Sequence, residues 1–331
     1  MSGFSGLPNF GNTCYINTVV QCLFNNPCFK LVGSRLKSPL AKVLCAIMRQ
    51  YKSRGVVDLD LFYSWFKVCK CELEKLMDVR EQNDIQEFFL AIINKLIEQE
   101  GDSAQEQHEK AKAFASLTKS KSNKKRNKDD CFFADVEEAW WRDNNKAWSS
   151  LVPVFTGQNV SQIKCASCGY FVQNAELFTN IDVDIGGESD DIVDMLSNFF
   201  AIDHVDGWKC DKCNSEQGGN HCVKITRMPK TLTITLKRFD PLTGEKKNDA
   251  ITIPKRFELP SETHVFSDDL TFTLFAIGCH QGNQFGGHYY AALLDIESDK
   301  WYIADDEAIA EMTDKNCMAG NEPYMLFYTL D

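Results

Sequence analysis

Three segments of this 331-residue chain carry residue types that could together perform nucleophilic catalysis. Cys14 lies near the amino-terminal end of the sequence, in a segment rich in Gly, Asn and Pro. His288 follows two glycines about 270 residues later, and Asp305 and Asp306 come soon after it. A thiol nucleophile, an imidazole that takes its proton and a carboxylate that orients the imidazole are the groups that acyl transfer needs.

The residues after Cys14 predict a helix over 15–24. Apolar residues recur there at the spacing of one helix face: Ile16, Val19, Val20, Leu23 and Phe24. Cys14 would therefore lie at a helix N-terminus, where free N–H groups and the helix dipole favour a thiolate and lower its pKa. Asn9 lies five residues earlier, and its amide could donate a hydrogen bond to an oxyanion.

A predicted hairpin brings His288 close to the aspartates. Strand-like segments at 288–296 and 300–304 flank a short turn-like sequence. Pairing of these strands would place Asp305 near Ala291, so that His288 and Asp305 share one end of the hairpin. A single histidine in a strand is more often an ordinary core or surface residue, but a carboxylate beside it favours a general base.

Two Cys-x-x-Cys pairs, separated by 41 residues, predict a metal site. Their members are Cys165, Cys168, Cys210 and Cys213. Four thiolates complete the tetrahedral shell of one structural zinc ion, and such a closed shell leaves no position for a substrate. The alternative is a set of buried or redox-active cysteines. His221 and Cys222 are nearby, but their spacing fits a ligand role less well.

Composition excludes several classes of function. The formal net charge of −11 argues against nucleic acid as the main partner, and so against a zinc-ribbon nucleic-acid binder. We find neither an apolar run of about 20 residues, as a membrane span needs, nor the pattern of a secretory signal. The 14 cysteines therefore indicate a reducing compartment, the cytoplasm or the nucleus.

The patterns along the chain predict an α+β fold, with helices first and an antiparallel sheet after them. Residues 39–77 are helix-like, and an apolar stripe predicts a helix over 84–98. Residues 101–130 are polar and basic, which predicts a flexible surface insertion or, alternatively, a nuclear-import or acidic-surface contact. Strands are predicted from about residue 151 onward, at positions that include 231–237, 270–279 and 324–330.

Six ordered motifs resemble those of the ubiquitin-specific proteases. Gly-Leu-Pro-Asn-Phe-Gly-Asn-Thr-Cys-Tyr-Ile-Asn resembles their cysteine box, and Gly-His-Tyr-Tyr-Ala with Trp-Tyr-Ile-Ala-Asp-Asp resembles their histidine box. The matching segments are 6–17, 82–88, 155–157, 232–239, 287–306 and 322–328. The resemblance covers about residues 5–329. It implies a papain-like fold with a helical thumb, zinc-bearing fingers and an antiparallel-sheet palm.

The resemblance also implies roles for individual residues. Cys14 would be the nucleophile, His288 the base and Asp305 the orienting acid, while Asn9 would line the oxyanion hole with Asp306 as an assistant. Three further positions match residues that contact the basic tail of ubiquitin: Gln82, Asp84 and Glu87. Asp84 and Glu87 also have the spacing of a helix-capping pair, and the two roles are compatible. A loop at 281–285 matches one that gates the cleft in this family.

The implied activity is hydrolysis of the bond after the C-terminal glycine of ubiquitin. The alternatives are an inactive relative that only binds ubiquitin, and a protease for a ubiquitin-like modifier. We expect one catalytic domain over 1–331, with the thumb at about 1–150, the fingers at about 151–230 and the palm at about 231–331. The expected partners are ubiquitin or ubiquitinated proteins, and the expected state is a monomer without further modules, targeted by its own surface.

Overall fold

The structure is a computed structural model, which describes residues 3–51, 55–101, 128–144, 148–240, 242–283, 286–312 and 322–331, with side chains of the third range from 136. Most of the insertion predicted at 101–130 lies outside these residues, although its end forms the start of a helix at Lys128. Among the helices described, none is long and apolar enough to cross a membrane.

Capping residues determine where several helices begin. The helices of the described residues are α1 (Cys14–Asn25), α2 (Pro27–Gly33), α3 (Pro39–Gln50), α4 (Leu59–Leu73), α5 (Ile85–Glu100), α6 (Lys128–Asn144), α7 (Val152–Phe155) and α8 (Ile192–Phe199). Ser38, Asp58 and Asp84 precede α3, α4 and α5, and each side chain accepts a hydrogen bond from the first turn. Such caps satisfy N–H groups that have no partner within the helix.

Most strands belong to two sheets. The strands are β1 (Ser5–Gly6), β2 (Gly55–Val56), β3 (Gly157–Cys165), β4 (Phe171–Phe178), β5 (Ile181–Asp184), β6 (Asp203–Val205), β7 (Gly219–Arg227), β8 (Thr231–Lys237), β9 (Arg256–Glu258), β10 (Thr271–Asn283), β11 (Gly286–Asp295), β12 (Lys300–Asp305), β13 (Ala308–Met312) and β14 (Pro323–Leu330). The larger sheet has the order β13-β12-β11-β10-β14-β8-β5, with β9 on β10, and the smaller has the order β4-β3-β7-β6.

Helix α1 lies between the other N-terminal helices and the larger sheet. All of its residues are buried, and apolar side chains on opposite sides of it join one hydrophobic core. Tyr15 packs edge-on against Phe88 of α5 with 5.3 Å between ring centroids, and Phe89 packs against Phe327 of β14 at 5.5 Å. A second core covers the opposite face of the sheet beneath α8 and β9. Each fully buried ring contributes about 1.5–3 kcal/mol.

Buried amides fix the position of α1 on the sheet. Asn25 Nδ2 donates to the backbone oxygens of Phe275 and Leu294, at 2.8 and 2.9 Å, on neighbouring strands β10 and β11. One turn earlier, Gln21 Nε2 donates to the backbone oxygen of Ser5 at 2.9 Å. Because an unpaired buried amide costs free energy, these bonds add to the apolar contacts that hold α1 on the sheet.

The predicted elements are largely present, with three differences. The helix-like segment 39–77 is broken into α3 and α4 by β2, since Gly55 adopts a φ of +110°. The chain after residue 151 is not all strand: α7 and α8 interrupt it. The larger sheet is not wholly antiparallel either, because its edge strand β5 pairs with β8 in parallel.

Candidate active site and metal-binding cluster

Cys14 is the first residue of α1 and is 3% exposed. The preceding Thr13 does not cap the helix with its side chain, because its hydroxyl instead contacts Asn9 and the N–H of Phe10. The helix N–H groups are therefore not taken up by a side-chain cap. They remain close to the sulfur, where they can stabilise negative charge.

Burial nevertheless raises the pKa of the Cys14 thiol above its ordinary value. The backbone N–H groups of Tyr289, Tyr15 and Cys14 lower the pKa of this thiol, whereas the charge of Asp306 raises it further. The N–H groups at the helix terminus do lower this pKa, but desolvation is the larger effect, so the net shift is upward. No hydrogen bond joins Cys14 Sγ to His288 in the described part of the chain.

The side chains of His288 and Asp305 lie within hydrogen-bond distance of each other on the hairpin of β11 and β12. His288 Nε2 lies 2.5 Å from Asp305 Oδ1, and both side chains are partly exposed. Since a carboxylate accepts, Nε2 donates and Nδ1 is the ring nitrogen left to receive a proton. Ala304 lies opposite Ala291, so Asp305 is one residue beyond that position and lies near Ala291, as predicted. His288 and Asp305 meet, because the hairpin turn lies where it was predicted.

Asn9 is held in a tight loop before α1. Gly11 and Asn12 both have positive φ, +82° and +52°, which turns the chain back toward Asn9. Asn9 Oδ1 accepts from the N–H of Gly11 at 2.8 Å and from the Thr13 hydroxyl at 3.0 Å. Asn9 Nδ2 donates to Asp306 Oδ2 at 2.7 Å. The amide is therefore oriented through both of its ends.

The two aspartates have different partners. Asp305 bonds to His288, whereas the carboxylate of Asp306 accepts from Asn9 and from Asn17 Nδ2, each at 2.7 Å. Sequence reasoning missed Asn17. The available signal was its position three residues after Cys14, which places the two side chains on the same side of a helix.

The four predicted metal ligands are brought together at one end of the smaller sheet. The first pair lies at the turn between β3 and β4, and the second lies in the connection from β6 to β7. The cluster consists of Cys165, Cys168, Cys210 and Cys213, whose sulfurs all lie within 4.8 Å of one another. Strands β3 and β7 are neighbours in this sheet, which explains how pairs 41 residues apart converge.

Sulfur separations in this cluster fit a four-thiolate metal site. Cys165 Sγ lies 3.8 Å from Cys213 Sγ, and Cys168 Sγ lies 3.7 Å from Cys210 Sγ. A regular tetrahedron with Zn–S bonds of about 2.3 Å has edges of about 3.8 Å, whereas a disulfide would hold two sulfurs at about 2.0 Å. His221 is absent from the cluster and contacts the Ser161 hydroxyl at 2.8 Å. The four thiols could hold a metal such as zinc.

Comparison with known proteins identifies the family. The model of the ubiquitin carboxyl-terminal hydrolase family matches residues 5–328. The chain belongs to this family. Among curated relatives, ubiquitin carboxyl-terminal hydrolase 5 of Saccharomyces cerevisiae is 24% identical over 363 residues, which cover 98% of this chain and 44% of the relative. Hydrolase 23 of Arabidopsis thaliana is 23% identical over 344 residues, which cover 99% of this chain and 35% of the relative.

Solved structures show the same fold. The Ubp8-containing SAGA DUB module bound to monoubiquitin aligns with a TM-score of 0.73 at 21% identity, over 99% of this chain and 69% of that one. The module bound to ubiquitin aldehyde aligns with a TM-score of 0.74 at 21% identity, over 99% and 70%. The predicted α+β, papain-like architecture is thereby confirmed. This hydrolase-family chain spans less than half the length of the two curated relatives.

The residues predicted to contact the ubiquitin tail lie just before and in the first turn of α5. Gln82 is exposed, and its Nε2 donates to the backbone oxygen of Gly287 at 2.7 Å, next to His288. Asp84 caps α5 by accepting from the N–H of Gln86 and Glu87, and its other oxygen accepts from the Tyr289 hydroxyl at 3.2 Å. The capping role predicted as an alternative for Asp84 is thus present.

Glu87 and the predicted gating loop complete the surroundings of the site. Glu87 is exposed in the first turn of α5. Of the loop at 281–285, the structure describes Gln281, Gly282 and Asn283, and Gly282 adopts a φ of +110°. The remaining two positions lie outside the described residues. Contact of Gln82, Asp84 and Glu87 with a substrate remains a prediction.

Proposed function

We propose that this chain is a thiol-dependent deubiquitinase that hydrolyses the bond after the C-terminal glycine of ubiquitin. The observation that carries the proposal is the His288–Asp305 pair on a hairpin packed against α1, the helix that begins with Cys14. Asn9, with its amide oriented beside the same helix terminus, supplies the third function that acyl transfer requires. Membership of the hydrolase family supports the same reaction class.

In the proposed first half-reaction, Nδ1 of His288 accepts the proton of the Cys14 thiol, and the sulfur attacks the carbonyl carbon after the terminal glycine. The carbonyl oxygen becomes an oxyanion, toward which Asn9 donates its free amide hydrogen. Collapse of this intermediate expels the amine, which takes the proton from His288 and leaves an acyl-enzyme on Cys14. Asp305 holds the ring tautomer throughout and stabilises the charged imidazole.

In the second half-reaction, water replaces the amine. His288 takes a proton from the water, whose oxygen attacks the thioester, and the proton then returns to the sulfur as Cys14 leaves. Burial and the charge of Asp306 raise the pKa of Cys14, which disfavours the thiolate in the free protein. The role of His288 as a proton acceptor is therefore needed at the moment of attack.

The proposed substrate is ubiquitin or a ubiquitinated protein. The net charge of −11 and the carboxylates at the start of α5 suit a basic tail. Asp84 is already bonded to the N-terminus of α5 and to the Tyr289 hydroxyl. We therefore assign it two roles: it orients the residues of this surface, and it contacts the tail of the substrate. Gln82 and the exposed Glu87 are the more direct contacts. A ubiquitin-like modifier with a similar tail is the alternative substrate.

The proposed cofactor is one structural zinc ion held by the four clustered cysteines. When bound, it would tie the turn after β3 to the connection before β7 and would take no part in hydrolysis. We further propose the division into thumb, fingers and palm at about residues 150 and 230, a monomeric state, and residence in the cytoplasm or nucleus. These assignments follow from the positions of the motifs and from the cysteine chemistry.

A ubiquitin reporter, with a fluorophore released from the C-terminal glycine, tests the reaction. Cys14→Ala should abolish release, with a loss of at least about 10⁴-fold, while ubiquitin still binds. Cys71→Ala, which alters an exposed cysteine of α4, should retain wild-type release. Release by Cys14→Ala at the wild-type rate would disprove the proposal.

An electrophilic probe separates the alternatives. Ubiquitin that carries a C-terminal electrophile should label Cys14 covalently, and peptide mapping should locate the adduct. Reversible binding without an adduct would identify an inactive ubiquitin-binding protein. A stronger adduct with a probe made from a ubiquitin-like modifier would reassign the substrate.

A further inference from the structure

A buried side chain on α1 reaches the turn that follows β12. Asn17 is 2% exposed, and its Nδ2 donates to Asp306 Oδ1 at 2.7 Å although 289 residues separate the two. The same amide also lies 3.2 Å from the backbone oxygen of Pro8. Because Asn25 and Gln21 already anchor α1, Asn17 offers Asp306 a fixed hydrogen-bond donor.

Asp306 is held at three atoms. Its backbone oxygen accepts from the N–H of Leu7 at 2.8 Å, Oδ1 accepts from Asn17, and Oδ2 accepts from Asn9. Its φ is +48°, a left-handed conformation that aspartate tolerates better than most residues. A carboxylate oxygen of Asp306 lies within 4.8 Å of a ring nitrogen of His288, but the side chains that donate to Asp306 are Asn9 and Asn17. The carboxylate therefore links a rigid buried amide to an exposed one.

Asn9 is the exposed end of this chain of hydrogen bonds. A side-chain amide offers two N–H donors and one acceptor oxygen. In Asn9 the oxygen accepts two hydrogen bonds and one N–H is bonded to Asp306, so one N–H is left without an acceptor among the described residues. Because the amide is fixed from both ends, the direction of that last N–H is fixed as well.

We infer that Asn17 is a positioning residue for oxyanion stabilisation, acting through Asp306 on the amide of Asn9. The inference rests on the proposed function and adds to it a residue that does not touch the substrate. A negative charge near the reacting atoms would by itself oppose an oxyanion, so Asp306 favours the reaction only through the donor that it orients. Asn17 keeps the carboxylate in that orientation.

The first test compares two buried amides of the same helix. Asn17→Ala should lower kcat for the ubiquitin reporter by about 10- to 100-fold with little change in KM, because misdirecting one oxyanion donor weakens the transition state alone. Asn25→Ala removes two hydrogen bonds to the sheet at the other end of α1 and should change kcat by less than about threefold. Asn17→Leu, which has a similar volume but no donor, should reproduce the loss if Asn17→Ala folds poorly.

A double-mutant cycle distinguishes positioning from a structural role. If Asn17 acts through Asn9, the double variant Asn9→Ala/Asn17→Ala should be no slower than Asn9→Ala alone. Alkylation of Cys14 by iodoacetamide forms no oxyanion, so Asn17→Ala should leave its rate unchanged.

Three results would overturn the inference, provided that the wild type hydrolyses the reporter. They are equal kcat values for Asn17→Ala and Asn25→Ala, multiplicative losses in the double variant, and a parallel fall in the alkylation rate. An inactive wild type would instead contradict the proposed function.

Discussion

The cysteine cluster and the candidate active site are assembled by different means. The cluster lies at the end of one four-stranded sheet, and the pairing of β3 with β7 places its two Cys-x-x-Cys pairs side by side. The active site joins a helix terminus, a loop and a hairpin from opposite ends of the chain. There, side-chain hydrogen bonds such as His288–Asp305 and Asn17–Asp306 make the final connections.

This difference in assembly predicts how each region responds to mutation. A site positioned by backbone register depends on its ligands and on little else, because the ladder of strand hydrogen bonds is independent of most side chains. A site positioned by side chains depends on a larger set of buried residues, several of which never contact a substrate. Mutations should therefore have sharply local effects in the cluster and more widespread effects around the active site.

The largest expected effect is loss of the metal ligands. Cys210 is fully buried in the cluster, whereas Cys222 lies on β7 of the same sheet, outside the cluster. Cys210→Ser should abolish stoichiometric zinc binding and destabilise the four-stranded sheet by several kcal/mol, since metal binding and folding are coupled. Metal analysis and hydrogen exchange in β3 and β7 measure both effects. Cys222→Ser should retain the metal, and retention of the metal by Cys210→Ser would show that the cluster is not the site.

The next effect tests how closely the active site is packed. A Cβ on Gly287 would lie 2.3 Å from His280 Nε2 and 2.4 Å from the backbone oxygen of Gln281, whereas a Cβ on Gly286 would meet only Gln82 Oε1 at 3.9 Å. Gly287→Ala should therefore displace His288 and reduce kcat/KM by about 100-fold. Gly286→Ala should reduce it by less than about threefold. Equal values for the two variants would show that the position of His288 does not depend on this close approach.

The smallest expected effect concerns stability and pH. Burial, with the charges of Lys246 and His288 nearby, lowers the pKa of His280 to about 4. His280 therefore binds a proton more readily in the unfolded chain than in the folded one. The free energy of unfolding has its full value above pH 6.5 and decreases, on the order of 2 kcal/mol, as the pH falls toward 4. Denaturant titrations should show a flatter profile for His280→Asn in that range. A wild-type slope for His280→Asn would contradict the assignment.

Local patterns predicted the parts of the site but not their connections. The spacing of Ile16 to Phe24 places Cys14 at a helix terminus, and the turn-like sequence before Lys300 places His288 near Asp305. Neither pattern carries information about partners hundreds of residues away. The Asn17–Asp306 bond and the position of His280 beneath Gly287 depend on how α1 and β10 pack. Contacts between distant segments produce no periodic pattern in the sequence, so they could not be predicted from it.

The fold shows the same division. Strand-like sequence predicted β8 and β14, and the apolar stripe predicted α5, within one or two residues of their ends. The parallel pairing of β5 and the short helix α8 were not predicted, because strand direction and an eight-residue helix depend on tertiary contacts more than on local pattern. The family resemblance supplied the long-range arrangement that periodicity lacks.

The anchoring of α1 also determines when the candidate active site can first be assembled. A ribosome makes Cys14 before the strands that hold its helix, since Asn25 bonds to Leu294 and Asn17 bonds to Asp306, 269 and 289 residues later. At about 5–20 residues per second, the helix waits roughly 15–60 s for these partners. The nascent chain thus carries Cys14 without His288 and Asp305, so that an unfinished molecule lacks the proposed catalytic base.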